Sequence, residues 1–314
     1  MHTIENHFRS TGIVLVLIAL LIAASCKEDH KKEPEVKKEE VIEVLTEVMD
    51  FQIKDTIRSG WQTFRYTNAS SEPHFILLDK YPEGKYIKDG KKEVMPIFQE
   101  GMDLINKGEM NKAMEAFGKL PPWFSEIVFF GGVGLVSAGE VAESTIYMDP
   151  GYYVLECYVK MPNGVFHGVM GMVKELVVVQ DTTANTPPEP TVRIGISGAE
   201  GIQVQDSIKE GPQVFQVTYE DQVTHEHFVG HDVNLVRLEE NADLDQLAAW
   251  MNWVDPKGLI SPAPEGVIFL GGVNDMPAGK TGYFTAELEP GSYALISEVP
   301  NAREKNMLIP FTIP

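Results

Sequence analysis

VFFGGVGLVSAGEVAESTIYMDPGYYVLEC (Val128–Cys157) aligns without a gap on IFLGGVNDMPAGKTGYFTAELEPGSYALIS (Ile268–Ser297). Gly131-Gly132 falls on Gly271-Gly272, Ala138-Gly139 on Ala278-Gly279, and Asp149-Pro150-Gly151 on Glu289-Pro290-Gly291. Upstream, QTFRYTN (Gln62–Asn68) resembles QVFQVTY (Gln213–Tyr219), and PHFILL (Pro73–Leu78) resembles GHDVNLV (Gly230–Val236). Self-similarity over such a span reads as a tandem duplication. Its copies cover residues 47–180 and 191–314, joined by a polar, proline-bearing linker at 181–190.

Each copy reads as β. STIYMDPGYYVLECYV alternates apolar and polar positions on both sides of a Pro-Gly turn and is rich in β-branched and aromatic residues. MVKELVVV (Met172–Val179) reads as a last strand. Short strands punctuated by turn residues predict two tandem Greek-key β-sandwiches. Each copy carries one helical insert, at Met95–Lys119 and Ala242–Val254, between the histidine-bearing strand and the Gly-Gly strand. Met95, Met102, Met110 and Met114 in the first insert are expected to fill core rather than bind metal.

The N-terminus has its own logic. The apolar run Ile13–Ala24 is short for a bilayer span, which needs about 20 residues. With Arg9 before it, it fits a secretory leader over residues 1–25. LIAASC resembles a bacterial lipoprotein box, which implies lipidation of Cys26. Lys27-Glu28-Asp29 resembles the tag with which Bacteroidetes send lipoproteins to the cell surface. The Lys/Glu-rich stretch 26–46 cannot bury enough apolar surface to fold alone and reads as a solvated tether. These features predict a chain anchored to the outer membrane through its lipid alone. The 314-residue chain holds 26 basic and 46 acidic residues, a net charge of −20, which argues against nucleic acid as a partner. No phosphate-loop or dinucleotide glycine pattern supports nucleotide binding.

Only Cys26 and Cys157 are present, so a lipidated Cys26 leaves Cys157 without a partner in an oxidising compartment. A thiol that persists there is buried or a metal ligand. Cys157 is followed by His167 and Met172 in a Cys-x9-His-x4-Met spacing, and His74 stands in NASSEPH (Asn68–His74) near the start of the first copy. A type 1 copper site takes two imidazoles, a thiolate and a weak axial thioether. The order His…Cys…His…Met, with its PGxYxLxC…H…GM ending, resembles the cupredoxins. The resemblance extends over both copies, though only the first has the ligands. It implies one copper ion held by His74, Cys157, His167 and Met172, with one-electron transfer to an unnamed redox partner. On this reading the edge of His167, ringed by Val165, Phe166, Gly168 and Val169, is exposed and forms the electron port.

The second copy departs from the pattern. His231 takes the place of His74, Ser297 that of Cys157, and the closing loop EVPNAREKNM (Glu298–Met307) has no histidine. It is expected to bind no copper of this type. VTHEHFVGH (Val223–His231) offers His225, His227 and His231 as a conceivable second metal site; a solvated hairpin tip is the simpler reading. The expected role is an electron carrier or copper-binding protein rather than a catalyst. A metal-free tandem β-sandwich scaffold is the alternative. A copper nitrite reductase or multicopper oxidase would need further histidine ligands that lack counterparts here.

Overall fold

The computed structural model describes residues 40–226, 228 and 230–314. The leader, Cys26, most of the tether and His227 therefore lie outside the described residues. The fold is all-β, as the alternation predicts. The first half contains β1 (Val41–Thr46), β2 (Thr56–Asn68), β3 (His74–Lys80), β4 (Val128–Val136), β5 (Val141–Met148), β6 (Gly151–Glu156) and β7 (Val173–Thr182). One sheet runs β1-β2-β5 and the other β7-β6-β3-β4. β2 serves both: Thr56–Ser59 pairs with β7, and Gly60–Thr67 pairs with β5. The strand turns its corner at a register shift beside Gly60, whose φ of +93° only glycine adopts without strain.

The second half has β8 (Val192–Ser197), β9 (Gly201–Val204), β10 (Gly211–Tyr219), β11 (Val233–Leu238), β12 (Val267–Val273), β13 (Thr281–Leu288), β14 (Gly291–Ile296) and β15 (Leu308–Ile313). Its sheets run β9-β8-β10-β13 and β15-β14-β11-β12. The strand order follows that of the first half, with β9 added as a hairpin. The sheets then join across the halves: β5 pairs with β13 and β4 with β12. Ser144 faces Phe284, and Val133 faces Val273. Each of these pairs joins two positions that the sequence alignment makes equivalent. Flanked on both sides, β4 loses the alternation of a half-exposed strand and is buried from Phe130 to Val136.

Two details differ from the sequence reading. Residues 41–46 are strand, not tether: VIEVLT alternates, buries Ile42, Val44 and Thr46, and runs parallel to β2. The first insert begins earlier, with α1 (Ile87–Glu93), then α2 (Met95–Asn106), α3 (Met110–Phe117) and a 3-10 turn at Pro122–Glu126. Met102 is fully buried in α2, whereas Met110 and Met114 are 46% and 44% exposed. α3 turns Ala113, Ala116 and Phe117 inward, so its methionines ride the outer face. The second insert is a single helix, α5 (Leu244–Trp250), after the four-residue turn α4 (His167–Met170). Asp243 caps α5 by accepting from the Asp245 and Gln246 N–H groups.

Candidate metal centre

His74 opens β3, Cys157 follows β6, and His167 begins α4; all three are fully buried. β3 and β6 are hydrogen-bonded neighbours, with Leu77 opposite Glu156, which brings His74 and Cys157 to the same end of the sheet. Cys157 Sγ lies 3.8 Å from His74 Nδ1 and 3.7 Å from His167 Nδ1, and the two Nδ1 atoms are 3.1 Å apart. A triangle with those sides has a circumradius of about 2 Å. That matches the roughly 2.0–2.3 Å that a zinc-sized first-row ion keeps from imidazole nitrogen and thiolate.

The protonation of the three donors favours a cation between them. His167 Nε2 is 3.1 Å from Glu72 Oε2, a contact that assigns the ring proton to Nε2 and leaves a lone pair on Nδ1. Burial, reinforced by His167, holds the His74 pKa down at about 3, and burial holds that of His167 at about 4. Both rings are therefore neutral at pH 7. His74 Nε2 is buried without a hydrogen-bond partner among the described residues. Burial pushes the Cys157 thiol up to about 12, although the Phe75 and Val159 N–H groups point at the sulfur and favour its thiolate. Two lone pairs and one reluctant thiol thus face each other in a dry site. The group fits copper or a similar soft ion that takes a thiolate and two imidazoles.

Met172 is fully buried and immediately precedes β7. Its N–H donates to the His167 carbonyl at 3.0 Å, and its carbonyl accepts from the Cys157 N–H at 3.4 Å. Met170, the other nearby thioether, is 55% exposed.

The loop between Cys157 and Met172 is held from three sides. Within it, the His167 N–H donates to the Val159 carbonyl at 2.8 Å. From the first insert, the Gln99 side chain accepts from the Phe166 N–H at 3.1 Å. From the second half, Lys160 exchanges backbone bonds with Leu259 and Ser261, and its Nζ donates to the Asp255 carbonyl at 3.2 Å. Phe166 stacks on Trp253. These supports overturn the exposed electron port expected at His167. The ring is fully buried, and of the apolar residues around it Val169 and Met170 are exposed, at 41% and 55%, while Val165 is only partly so.

Glu72 was not legible as a functional residue; its position two before His74 carries meaning only once the loop folds back over His167. Asn68 prepares that loop. Its amide donates to the Glu72 and Val136 carbonyls, and its oxygen accepts from the Ser70 N–H and hydroxyl.

In the second half the strand register puts His231 where His74 stands, since Leu78 faces Leu155 while Leu235 faces Leu295. Ser297 donates its hydroxyl to Asp232 at 3.0 Å and accepts from the Asp232 N–H, so the place of the thiol is filled by a closed polar pair. His231 is fully buried, and its Nδ1 lies 3.0 Å from His225 Nε2. No third ligand atom joins this pair among the described residues; the sole described cluster of three is His74, Cys157 and His167. His227 lies outside the described residues.

No known protein-family description matches the chain, and no curated protein matches it. Among solved structures, a dithionite-reduced auracyanin from the photosynthetic bacterium Roseiflexus castenholzii is 22% identical, covering 44% of this chain and 94% of its own, with a TM-score of 0.26. Auracyanin A, a blue copper protein from Chloroflexus aurantiacus, is 19% identical over 45% of this chain and 98% of its own, with a TM-score of 0.27. A multicopper oxidase is 11% identical over 88% of both chains, with a TM-score of 0.23.

Proposed function

We propose that the chain is a copper-binding protein that transfers single electrons through one type 1 copper in its first half. The observation that carries this reading is the convergence of Cys157 Sγ with the Nδ1 atoms of His74 and His167 in a site closed to water. Bound copper would supply a one-electron couple. His74 and His167 would hold it as neutral imidazoles and Cys157, on giving up its proton, as thiolate, with the buried Met172 as the candidate fourth, thioether donor. Glu72 fixes the His167 ring. The strands, the insert and the second half hold the ligands nearly still, which keeps the reorganisation between oxidation states small. With His167 buried, the exposed Val169-Met170 turn is the face that would meet a redox partner.

The lipid anchor at Cys26 and the outer-membrane location belong to the same proposal and rest on the leader sequence. So does descent from a tandem duplication, which the alignment and the pairing of equivalent strands across the halves support.

The visible spectrum of the full chain loaded with Cu(II) tests the reading. An intense blue thiolate–copper band that disappears in Cys157→Ser is expected. A colourless protein that takes up no stoichiometric copper would leave Cys157 as a core thiol.

A further inference from the structure

A second feature lies between the two halves and the first insert. It is a cavity of about 110 Å³. Four carboxyl groups line it: Asp79 and Glu156 from the first half, Asp275 and Glu298 from the second. Among the described residues no lysine, arginine or histidine lines it. Lys160, whose charge is felt by Glu298, donates its Nζ to the carbonyls of Asp255 and Pro256.

The facing wall is aromatic. Phe228 meets Phe98 at 5.1 Å and Phe124 at 5.8 Å between ring centres, and Phe98 meets Trp253 at 6.5 Å. All four rings line the cavity.

Asp79 makes this more than a cluster of acids. It is 3% exposed, and its Oδ1 is a buried polar atom with no hydrogen-bond partner among the described residues. The carboxyl group lies in hydrogen-bond contact with Glu156, yet this one oxygen is left without a partner, and a buried polar atom in that state is costly. The second half shows what packing alone selects. By strand register Asp79 corresponds to Val236, and Glu156 to Ile296. By contrast, Asp232, another buried acid nearby, is fully engaged by Ser297, Asn234 and the Glu298 N–H. Glu298 keeps one bond, from the Tyr158 hydroxyl at 3.2 Å.

The carboxyl groups are too dispersed to act as a metal cage, since no three of their oxygens lie within 4.8 Å of one another. A charge spread over an alkylated nitrogen suits them better. It can sit against ring faces and satisfy carboxylates at longer range. We propose that this cavity binds a small organic ammonium ion, its charge held by Asp79 and Glu298 and its alkyl surface by the aromatic wall. The proposal is independent of the copper reading, although Cys157 also lines the cavity.

The test titrates the full chain, as purified, with methylammonium, tetramethylammonium and choline. The control is 3,3-dimethylbutan-1-ol, the neutral isostere of choline. Heat of binding and the fluorescence of Trp253 are followed. At least one cation should bind, and choline should bind at least about tenfold tighter than its isostere. Asp79→Asn and Asp79→Val should each cut cation affinity by about tenfold or more while leaving the copper band in place. Glu298→Gln, in the other half, provides a second variant. Equal affinity for choline and the alcohol would overturn the proposal. So would the absence of binding by every cation up to about 10 mM, or full cation affinity in folded Asp79→Val.

Discussion

Glu72 and Cys157 show how single residues set the chemistry of the centre. Glu72 touches no other proposed ligand, but its bond to His167 Nε2 points Nδ1 at the sulfur. Partners of this kind are worth about 10–100-fold in metal affinity. Glu72→Gln should therefore lower copper affinity by a factor in that range while changing thermal stability little, since the side chain lies near the surface at 22% exposure. Competition with a chelator and a thermal melt measure the two quantities. Cys157 sets the pH dependence. Its thiol stays protonated to about pH 12, and both imidazoles are already neutral above their depressed pKa values of about 3 and 4. Binding then releases one proton, so apparent Cu(II) affinity should rise about tenfold per pH unit between roughly pH 6 and 9. A flat profile would mean that the thiolate is not a ligand.

At the scale of elements, the centre depends on how β3 and β4 approach each other. Gly132 in β4 has φ +135° and lies so close to the Ile76 carbonyl that a Cβ would collide with it. The register of the two strands also shifts between His74 and Ile76 at this point. Gly132→Ala should cost at least about 2 kcal/mol, from strain and collision together. Denaturant melts of the copper-free protein would show it, with displacement of His74 read in the copper spectrum. The ligand loop depends in the same way on Lys160. Its buried ammonium, held down to about 8 by loss of solvation, ties the loop to the carbonyls of Asp255 and Pro256. Lys160→Met keeps the stem but drops the tie. The blue band should survive with a broadened or shifted spectrum, because the loop backbone is still held by Leu259 and Ser261.

At the scale of the molecule, the halves are one body rather than beads on a linker. Both sheets continue from the first half into the second through β4–β12 and β5–β13. Residues 181–190 are tied down where they begin, with Thr183 donating to the Trp61 carbonyl and Asn185 bonded to Glu40. Removing residues 191–314 would expose two strand edges and the ligand loop. Because equivalent positions face each other across the joint, the exposed β5 edge is complementary to itself. The first half alone should therefore run as a dimer or aggregate in size-exclusion chromatography with light scattering, whereas the full chain, with both edges paired, should not associate through them. Copper loading should reach one equivalent per chain and should be unchanged by His225→Ala, since His225 and His231 have no third described partner.

The sequence by itself determined the β class, the repeated strand plan and the identity of the clustered donors. Period-two alternation and glycine turns are local properties, and a cysteine with two ordered histidines leaves few chemistries open. It could not show which surface of the protein would cover His167, because that depends on the insert and the second half folding back on the loop. Nor could it assign a strand to Val41–Thr46, whose parallel pairing with β2 comes from elsewhere in the chain. Glu72 and Asp79 read as ordinary acids until packing buried one oxygen of Asp79 and set Glu72 against a ring nitrogen. Tertiary structure decided these roles because burial and long-range contact, unlike periodicity, are not properties of a short stretch of chain.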